Sequence, residues 1–427
     1  MTFASMEVFE IGDLSVILGV TGETRYRKVS YPVRYGIYDE IRTGPYIFQF
    51  NLNGEIRHIQ CRNSLAMEPT EWLKRTLGND WVFYASGGYN GAFAAVGEYY
   101  VPCFRYRSNG ILGGSPFSSG VLEQARNVLD HTLRHLESLT PGPSGQGFDD
   151  FRNRVLASTD KVLAARVAEF HHLAGGRISV LPPDTRHVDY DVIPLDISSG
   201  CLYNCAFCTV KSGRPFTVHS KEQIETRILN LKQFYGPDLV NHNALFLGQH
   251  DALNAGEDTI SWAARKAFDT FGFGSSLMKE PRLFLFGSVG SFLGAGESLF
   301  RTLNSLPFTT YINIGLESAD EKTLDLIGKP VTIRGIHEAF SRMEAVNRTY
   351  GNLEVTANFL YGDQLPETHM PACLDLIQKQ YEKPYTRGAV YFSPYGKARS
   401  RKSLVTGFKI IKNQCRLPVF LYIIQRL

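Results

Sequence analysis

Three of the seven cysteines in this 427-residue chain lie within one short segment, at Cys201, Cys205 and Cys208. Thiolates are soft ligands that select iron–sulfur clusters, zinc or copper(I). Three sulfurs satisfy three irons of a cubane cluster and leave the fourth iron open to a further ligand. Gly200 precedes them and permits the sharp turn that a loop wrapped around a cluster requires. The spacing therefore predicts a metal-binding loop.

Three other interpretations of these cysteines remain open. The i, i+4, i+7 spacing also places them on one face of a helix, as a buried apolar stripe. A structural zinc site would combine the three thiolates with a histidine such as His219. An electron-transfer cluster would take Cys373 or Cys415 as a distant fourth ligand.

The elements that must position this loop follow Pro182-Pro183, where short apolar runs begin to alternate with amphipathic helices. This alternation predicts a parallel sheet covered by helices, either a partial (β/α)6 barrel or a doubly wound sheet. In both architectures the chemistry lies at the carboxyl ends of the strands. The predicted strands are 190–197, 244–247, 282–286, 311–316, 353–361 and 388–393. The predicted helices are 220–234, 257–271, 296–305, 320–328 with 334–347, and 368–381.

The first third of the chain has a different pattern. Residues 1–118 are rich in Tyr, Phe and Val, and Asn53-Gly54 between two apolar runs predicts a hairpin of an antiparallel sheet. A helix is predicted over 121–138, and the Gly/Pro-rich run 141–147 predicts a surface linker. We therefore predict four parts: a β-rich domain of unknown role (1–140), a linker and connecting helix (141–183), the α/β core (184–400) and a basic helix or tail (401–427).

The motif Cys201-x3-Cys205-x2-Cys208, with the aromatic Phe207 just before its last cysteine, resembles the signature of the radical S-adenosylmethionine (radical SAM) enzymes. Segments 247–251, 315–324 and 358–368 resemble three later motifs of that family. The resemblance covers about 190–400. It implies an α/β fold, a partial (β/α)6 TIM-like barrel of the radical SAM type, here preceded by a β-rich α+β domain.

The resemblance also implies an activity and its cofactors. Cys201, Cys205 and Cys208 would hold a [4Fe-4S] cluster whose open iron binds S-adenosyl-L-methionine. One electron then cleaves that molecule to a 5′-deoxyadenosyl radical, which abstracts hydrogen from an unidentified substrate, whether a small molecule, a peptide or RNA. A reducing donor such as flavodoxin or ferredoxin is implied as a partner. No catalytic residue beyond the cofactor site is indicated.

The family's motifs imply further contacts to the cofactor by position. These are Phe207 beside the adenine, backbone groups around Gly248 and Gln249 at the methionyl amino group, Glu317 at the methionine or ribose, and Asn358 and Gly362 beside the adenine. The segment 248–250 departs from the family's Gly-Gly-Glu because His250 occupies the acidic third position and Asp251 follows it. An alternative role for Gly248 is to relieve crowding at the end of a strand. An alternative role for Glu317 is to form a surface ion pair with Lys322.

Composition narrows the class of protein. The net charge of +3 excludes a highly basic chromatin-like protein, and no apolar run is long enough to span a bilayer. The amino terminus lacks a basic region before an apolar one, and seven cysteines do not suit a disulfide framework, so we expect a cytoplasmic protein with no membrane partner.

The charge is unevenly distributed. Residues 383–427 hold ten Lys or Arg and no Asp or Glu. Arg399, Arg401 and Lys402 are the candidates for contact with an anionic group, although solvation of a terminal helix also explains them. The alternative function is accordingly a non-catalytic zinc- or Fe-S-stabilised protein that binds nucleic acid.

Overall fold

The computed structural model of the protein describes residues 6–26, 33–63, 67, 69, 72–84, 100–102, 119–139, 146–203, 205–208, 210, 213–379, 387–396 and 401–422. These residues form an eight-stranded antiparallel sheet, a seven-stranded parallel sheet and a two-stranded ribbon. Within them no helix has the length and apolar character that crossing a membrane requires.

The antiparallel sheet is a meander in which each strand pairs with the next along the chain. The predicted hairpin around Asn53-Gly54 is confirmed, and Phe148 and Phe151 of the helix Gln146–Ala157 are fully buried in the core of this sheet. The core therefore draws on residues beyond 140. The strands are β1 (Glu7–Ile11), β2 (Leu14–Thr21), β3 (Ile37–Thr43), β4 (Tyr46–Phe50), β5 (Ile56–Cys61), β6 (Trp72–Arg75), β7 (Trp81–Tyr84) and β8 (Tyr100–Pro102). The helices are α1 (Ser119–Ser138), α2 (Gln146–Ala157) and α3 (Asp160–Leu173).

The hairpin turn packs directly on α2, and this makes Gly54 sensitive to substitution. Gly54 has φ +81°, and a Cβ added there would lie 2.5 Å from the carbonyl carbon of Arg154. We expect Gly54→Ala to lower the free energy of unfolding by about 1–2 kcal/mol from the left-handed backbone, and by about 1–3 kcal/mol more from the clash. Gly12→Ala is the matched control, because Gly12 has φ +62° with nothing within 4 Å of its added Cβ. Equal losses of the free energy of unfolding in the two variants, measured by denaturant titration, would contradict the role of the contact with Arg154.

The parallel sheet contains seven strands in the order of the chain, with no reversal. A doubly wound sheet requires a reversal of strand order, so this sheet is singly wound and forms an open barrel. The strands are β9 (Ile193–Pro194), β12 (Ala244–Phe246), β13 (Arg282–Ser288), β14 (Thr309–Glu317), β15 (Leu353–Tyr361), β16 (Val390–Pro394) and β17 (Val419–Leu421). The six predicted strands are present, and β17 adds a seventh that the sequence did not predict, beyond the boundary expected at residue 400.

Helices cover the connections between these strands, as the pattern predicted. The first of them begins with the predicted cap: the Ser220 side chain accepts from the Gln223 backbone N–H, and the Gln223 side chain accepts from the Ser220 N–H. The helices are α4 (Lys221–Tyr235), α5 (Glu257–Phe271), α6 (Val289–Gly294), α7 (Glu297–Ser305), α8 (Glu321–Leu326), α9 (Ile333–Thr349), α10 (His369–Lys379) and α11 (Arg401–Gln414).

The first parallel strand, β9, is much shorter than the predicted 190–197. Asp189 and Tyr190 have φ values of +55° and +59°, which turn the backbone away from the extended conformation just before the strand. Pro194 has no N–H to donate to a neighbouring strand. Only Ile193 and Pro194 therefore pair with β12.

The segment before β9 also closes the open side of the barrel. The Tyr422 hydroxyl, just after β17, donates to the Leu181 carbonyl. The Asp184 carboxylate accepts from Thr356 at 2.5 Å and from Tyr391 at 2.8 Å, on β15 and β16. The chain leading into the first strand thus binds the last three strands.

Buried ion pairs join the antiparallel sheet to the amino-terminal edge of the parallel one. Lys74 on β6 contacts Asp189 at 2.8 Å and Asp191 at 2.9 Å, and Arg57 contacts Asp191 at 2.9 Å. Burial raises the pKa of Asp191, but Lys74 and Arg57 more than offset this effect, so the pKa is lowered overall. A cavity of about 50 Å³ lies beside these groups. It is lined by residues of the antiparallel sheet and of the segments that precede β9 and β12, and it lies at the edge opposite to the strand ends where chemistry is expected.

Candidate active site

The cysteine segment is a loop closed at its base by a short ribbon. Strands β10 (Ser198–Ser199) and β11 (Thr217–Val218) pair antiparallel just after β9, and the loop runs between them. Gly200 has φ +76°, and a Cβ added there would lie 2.2 Å from the Pro215 carbonyl oxygen. Glycine is therefore required for the two legs of the loop to approach. The described residues of 201–208 are turn or irregular, which contradicts the helix-face interpretation.

Contacts with the segments that follow three other strands fix the loop in place. The Ala206 N–H donates to the Ile327 carbonyl at 2.9 Å, in the connection that follows β14. The Tyr203 hydroxyl accepts from the Gly290 N–H at 2.9 Å, after β13. His250, after β12, donates from Nε2 to the Val210 carbonyl at 3.2 Å. The loop therefore lies over the carboxyl ends of the strands, where the sequence predicted it.

The three thiols share one partly buried environment. Cys205 is 6% exposed, and Cys201 and Cys208 are half-buried. Burial raises the pKa of Cys201 and of Cys205, and the charge of Cys208 raises both further. The part of the chain that the structure describes contains no group of three His, Cys, Asp or Glu side chains arranged to hold a single metal ion.

The chemistry of this donor set fits an iron–sulfur cluster. Three soft thiols lie on one anchored loop, and burial disfavours their ionisation unless positive charge lies beside them, which cluster iron supplies. The other cysteines named as a fourth ligand lie elsewhere. Cys373 is in the core with its Sγ 3.8 Å from Nδ1 of His369, and burial raises its pKa to about 12. Burial raises the pKa of Cys415, which follows α11, to about 11.

Glu317 ends β14 and forms a buried pair with a lysine that the sequence did not single out. Its backbone has φ +68°, at an irregularity in the pairing of β14 with β15. Its Oε1 lies 3.5 Å from Nζ of Lys329, whose side chain is 5% exposed, so the suggested surface pair with Lys322 is not formed. Burial raises the pKa of Glu317, partly offset by Lys329. The Lys329 ammonium also lies 5.8 Å from the centre of the Tyr203 ring in the cysteine loop.

The turn after β12 contains Gly248 and Gln249. Gly248 has φ +106°, and a Cβ added there would lie 2.6 Å from Oδ1 of Asp196. The Gln249 side chain is occupied, because it accepts from the Ser179 N–H at 3.1 Å and donates to the Arg177 carbonyl at 3.2 Å. Only its backbone groups remain for the predicted contact with the methionyl amino group.

Asn358 on β15 faces a partner on the neighbouring strand. Its amide nitrogen donates to Oδ1 of Asn313 at 2.6 Å, inside the sheet. Gly362 lies just after this strand, where an added Cβ would be 2.3 Å from the Tyr395 carbonyl oxygen, so β15 and β16 approach closely here. Phe207 is partly buried against the core of the parallel sheet.

Several polar residues around the loop were not predicted from the sequence. Lys329 and Asn313 gave no local signal, because their positions depend on neighbouring strands and loops. Asp196 did give one, since it is a single charged residue in the otherwise apolar run 192–197. Of the basic residues near the carboxyl end, Arg401 and Lys402 begin α11, and Arg399 lies outside the described residues.

Comparison with known protein families identifies one domain of the chain. Residues 195–376 match the family model of the radical SAM superfamily. This range begins at the residue before Asp196 and spans the cysteine loop and strands β12 to β15. The chain therefore contains a radical SAM domain, and the enzymes of that superfamily use a [4Fe-4S] cluster and S-adenosylmethionine and need a reductant and a substrate. The non-catalytic nucleic-acid-binding alternative is not favoured.

Several solved structures are similar to this chain at low identity. The cobalamin-dependent S-adenosylmethionine radical enzyme OxsB is 16% identical over 52% of this chain and 30% of its own, with a TM-score of 0.32. Streptococcus suis SuiB is 11% identical over 82% of this chain and 70% of its own, with a TM-score of 0.36. Methylornithine synthase (PylB) is 10% identical over 75% of this chain and 86% of its own, with a TM-score of 0.33. This chain thus spans under a third of OxsB, and nothing about its substrate follows from these likenesses.

The curated proteins contain no match to this chain.

Proposed function

We propose that this enzyme reductively cleaves S-adenosylmethionine and abstracts a hydrogen atom from a substrate that is not identified. The observation that carries the proposal is the cysteine loop, with three thiols anchored over the carboxyl ends of a singly wound parallel sheet. When bound there, the cluster and S-adenosylmethionine supply a 5′-deoxyadenosyl radical. Cys201, Cys205 and Cys208 would be the ligands of the cluster.

Residues of the chain would position the cofactors. The buried ammonium of Lys329 lies 5.8 Å from the centre of the Tyr203 ring in the cysteine loop, and its charge lowers the pKa of both Cys201 and Cys205. It therefore offsets part of the negative charge that three thiolates bring into the site. Glu317 would contact the methionine or ribose from the end of β14, and Asn358 and Gly362 would lie beside the adenine with Phe207.

Anaerobic reconstitution tests the proposal. The protein is loaded with iron and sulfide, reduced with dithionite and assayed for 5′-deoxyadenosine in the presence of S-adenosylmethionine. We expect a brown protein with broad visible absorption and 5′-deoxyadenosine that forms only when dithionite is present. A colourless protein that retains zinc would overturn the proposal, as would a stable cluster that yields no 5′-deoxyadenosine with any substrate class offered. A flavodoxin or a ferredoxin in place of dithionite then tests the proposed physiological donor.

A further inference from the structure

The cavity beside the buried ion pairs presents polar atoms that the described part of the chain leaves unsatisfied. Its volume of about 50 Å³ is enough for roughly three or four water molecules or for a small organic group. Three atoms of its lining are buried without a hydrogen-bond partner among the described residues: the Tyr38 hydroxyl, Oε1 of Gln49 and Nδ1 of His242. These residues are 7%, 1% and 3% exposed. Because buried polar atoms without partners are costly, we infer that a ligand completes them.

The neighbours of two of these side chains show that their free atoms are acceptors. Nε2 of Gln49 donates to Glu40 at 3.2 Å and to Gln60 at 3.0 Å, so a reversed amide would set its oxygen against two other oxygens. Nε2 of His242 lies 3.4 Å from the Asp238 carboxylate, which can only accept when it is ionised. In the neutral ring Nε2 then carries the hydrogen, and Nδ1 accepts. The cavity therefore needs a ligand that donates.

The charges of the lining favour a cation. They belong to three carboxylates and two guanidinium groups, those of Asp189, Asp191, Asp238, Arg34 and Arg57. Arg34 is paired with Glu40 at 2.6 Å. Asp238 forms no ion pair with a Lys or Arg of the described residues, and it accepts from the Asn241 amide at 2.8 Å. Burial lowers the pKa of His58, which also lines the cavity, so this ring adds no positive charge.

Aromatic rings and a half-buried rim complete the site. The rings of Tyr26 and Tyr35 line it with their centres 4.7 Å apart, and aromatic faces attract cations. Tyr26 is buried, whereas Tyr35 and its neighbours Val33 and Arg34 are half-buried. A ligand head can thus lie among the buried groups while the rest of the ligand passes the rim.

We propose that this cavity binds the primary ammonium group of an alkylamine. Such a group has three N–H donors and no acceptor, which matches the Tyr38 oxygen, Gln49 Oε1 and His242 Nδ1. The carboxylate of Asp238 offsets its charge. A free amine and the side chain of a lysine in a peptide present the same head. The inference is independent of the proposed function, and it gives the antiparallel sheet a binding role.

The test measures binding of three probes to the full-length protein by saturation-transfer NMR titration. Butylammonium is the ligand probe, tetramethylammonium has the same charge but no N–H donor, and butyrate has a similar chain with the opposite charge. We expect butylammonium to bind at least about 10-fold more tightly than either of the others. Tyr38→Phe removes only the hydroxyl, and we expect it to weaken butylammonium about 10-fold and tetramethylammonium by less than about 2-fold.

Tyr46→Phe is the matched control. The Tyr46 hydroxyl is also buried without a partner among the described residues, but its ring lies in the core of the antiparallel sheet and does not line the cavity. We expect this variant to bind butylammonium as the wild type does. If Tyr38→Phe does not fold, His242→Phe replaces it, because this variant keeps an aromatic ring against Tyr235 and removes Nδ1. We expect a selective loss of about 10-fold there too.

Four outcomes overturn the inference: similar binding of all three probes, a preference for butyrate, equal effects of Tyr38→Phe and Tyr46→Phe, or no binding of butylammonium, which would mean that water alone fills the cavity. A fourth probe, Nα-acetyl-lysine N-methylamide, distinguishes the two sources of the ammonium group. If it binds more tightly than butylammonium, the ligand is a lysine side chain. If it binds more weakly, the ligand is a free amine.

Discussion

Replacing Cys205 by alanine is expected to prevent cluster assembly and to reduce 5′-deoxyadenosine formation below about 1% of the wild-type rate. Cys205 is the most buried of the three loop cysteines, and the neighbouring Ala206 is bonded to the Ile327 carbonyl. The fixed backbone prevents another residue from moving into its place. Iron content, visible absorption and the 5′-deoxyadenosine assay measure the loss.

Cys415→Ala is the control for this variant. Cys415 is also partly buried, and burial raises its pKa, but it follows α11 and does not belong to the loop. We expect it to retain wild-type iron and activity. A Cys205→Ala protein that keeps its full iron content would show that the cluster is held elsewhere, and a Cys415→Ala protein without iron would make Cys415 a ligand.

The second large effect is expected far from the cysteine loop, at Lys74. Its ammonium is 4% exposed and neutralises Asp189 and Asp191 between the two sheets. Lys74→Met keeps most of the side-chain volume and removes the ammonium that contacts the buried carboxylate of Asp189, whereas Asp191 keeps its contact with Arg57. Removing one partner of a buried ion pair typically costs about 3–5 kcal/mol. We expect a loss of that size in the free energy of unfolding, measured by denaturant titration.

Arg25→Met provides the comparison. Arg25 pairs with Glu280 at 3.2 Å, but both side chains are about half exposed, at 61% and 49%. Exposed pairs contribute about 0–1 kcal/mol, so this substitution should be nearly neutral. If Lys74→Met and Arg25→Met lose similar amounts of the free energy of unfolding, then burial of the Lys74 ion pairs adds nothing to stability.

Local sequence signals predicted much of this fold because they depend on neighbours along the chain. The cap of α4 needs only Ser220 and Gln223, and the β4–β5 hairpin needs Asn53-Gly54. The cysteine spacing likewise predicted a loop after the first strand, and the described residues of 201–208 form one. Helices with apolar stripes were predicted close to their observed bounds, since their periodicity extends over several turns.

The rest of the site depends on contacts between distant parts of the chain. Lys329 follows a short helix and an ordinary turn, and only the fold brings it to Glu317 and the Tyr203 ring. The partner of Asn358 lies on the adjacent strand at Asn313. Strand β17 is only three residues long and has too little pattern to be distinguished from a tail. The shortening of β9 follows from positive φ values at Asp189 and Tyr190, which residues other than glycine rarely adopt.

The contact of Tyr422 with Leu181 has a consequence for the order of folding during synthesis. The eight-stranded sheet pairs each strand with its predecessor, so it can assemble as the chain emerges from the ribosome. The parallel sheet can also extend strand by strand. Its opening, however, is closed by contacts between residues that precede the first strand and residues on or after the last two strands. The segment around Leu181 is synthesised early, and its polar groups remain incompletely hydrogen-bonded until β17 has been synthesised. The barrel is completed last, after the cysteine loop is already in place.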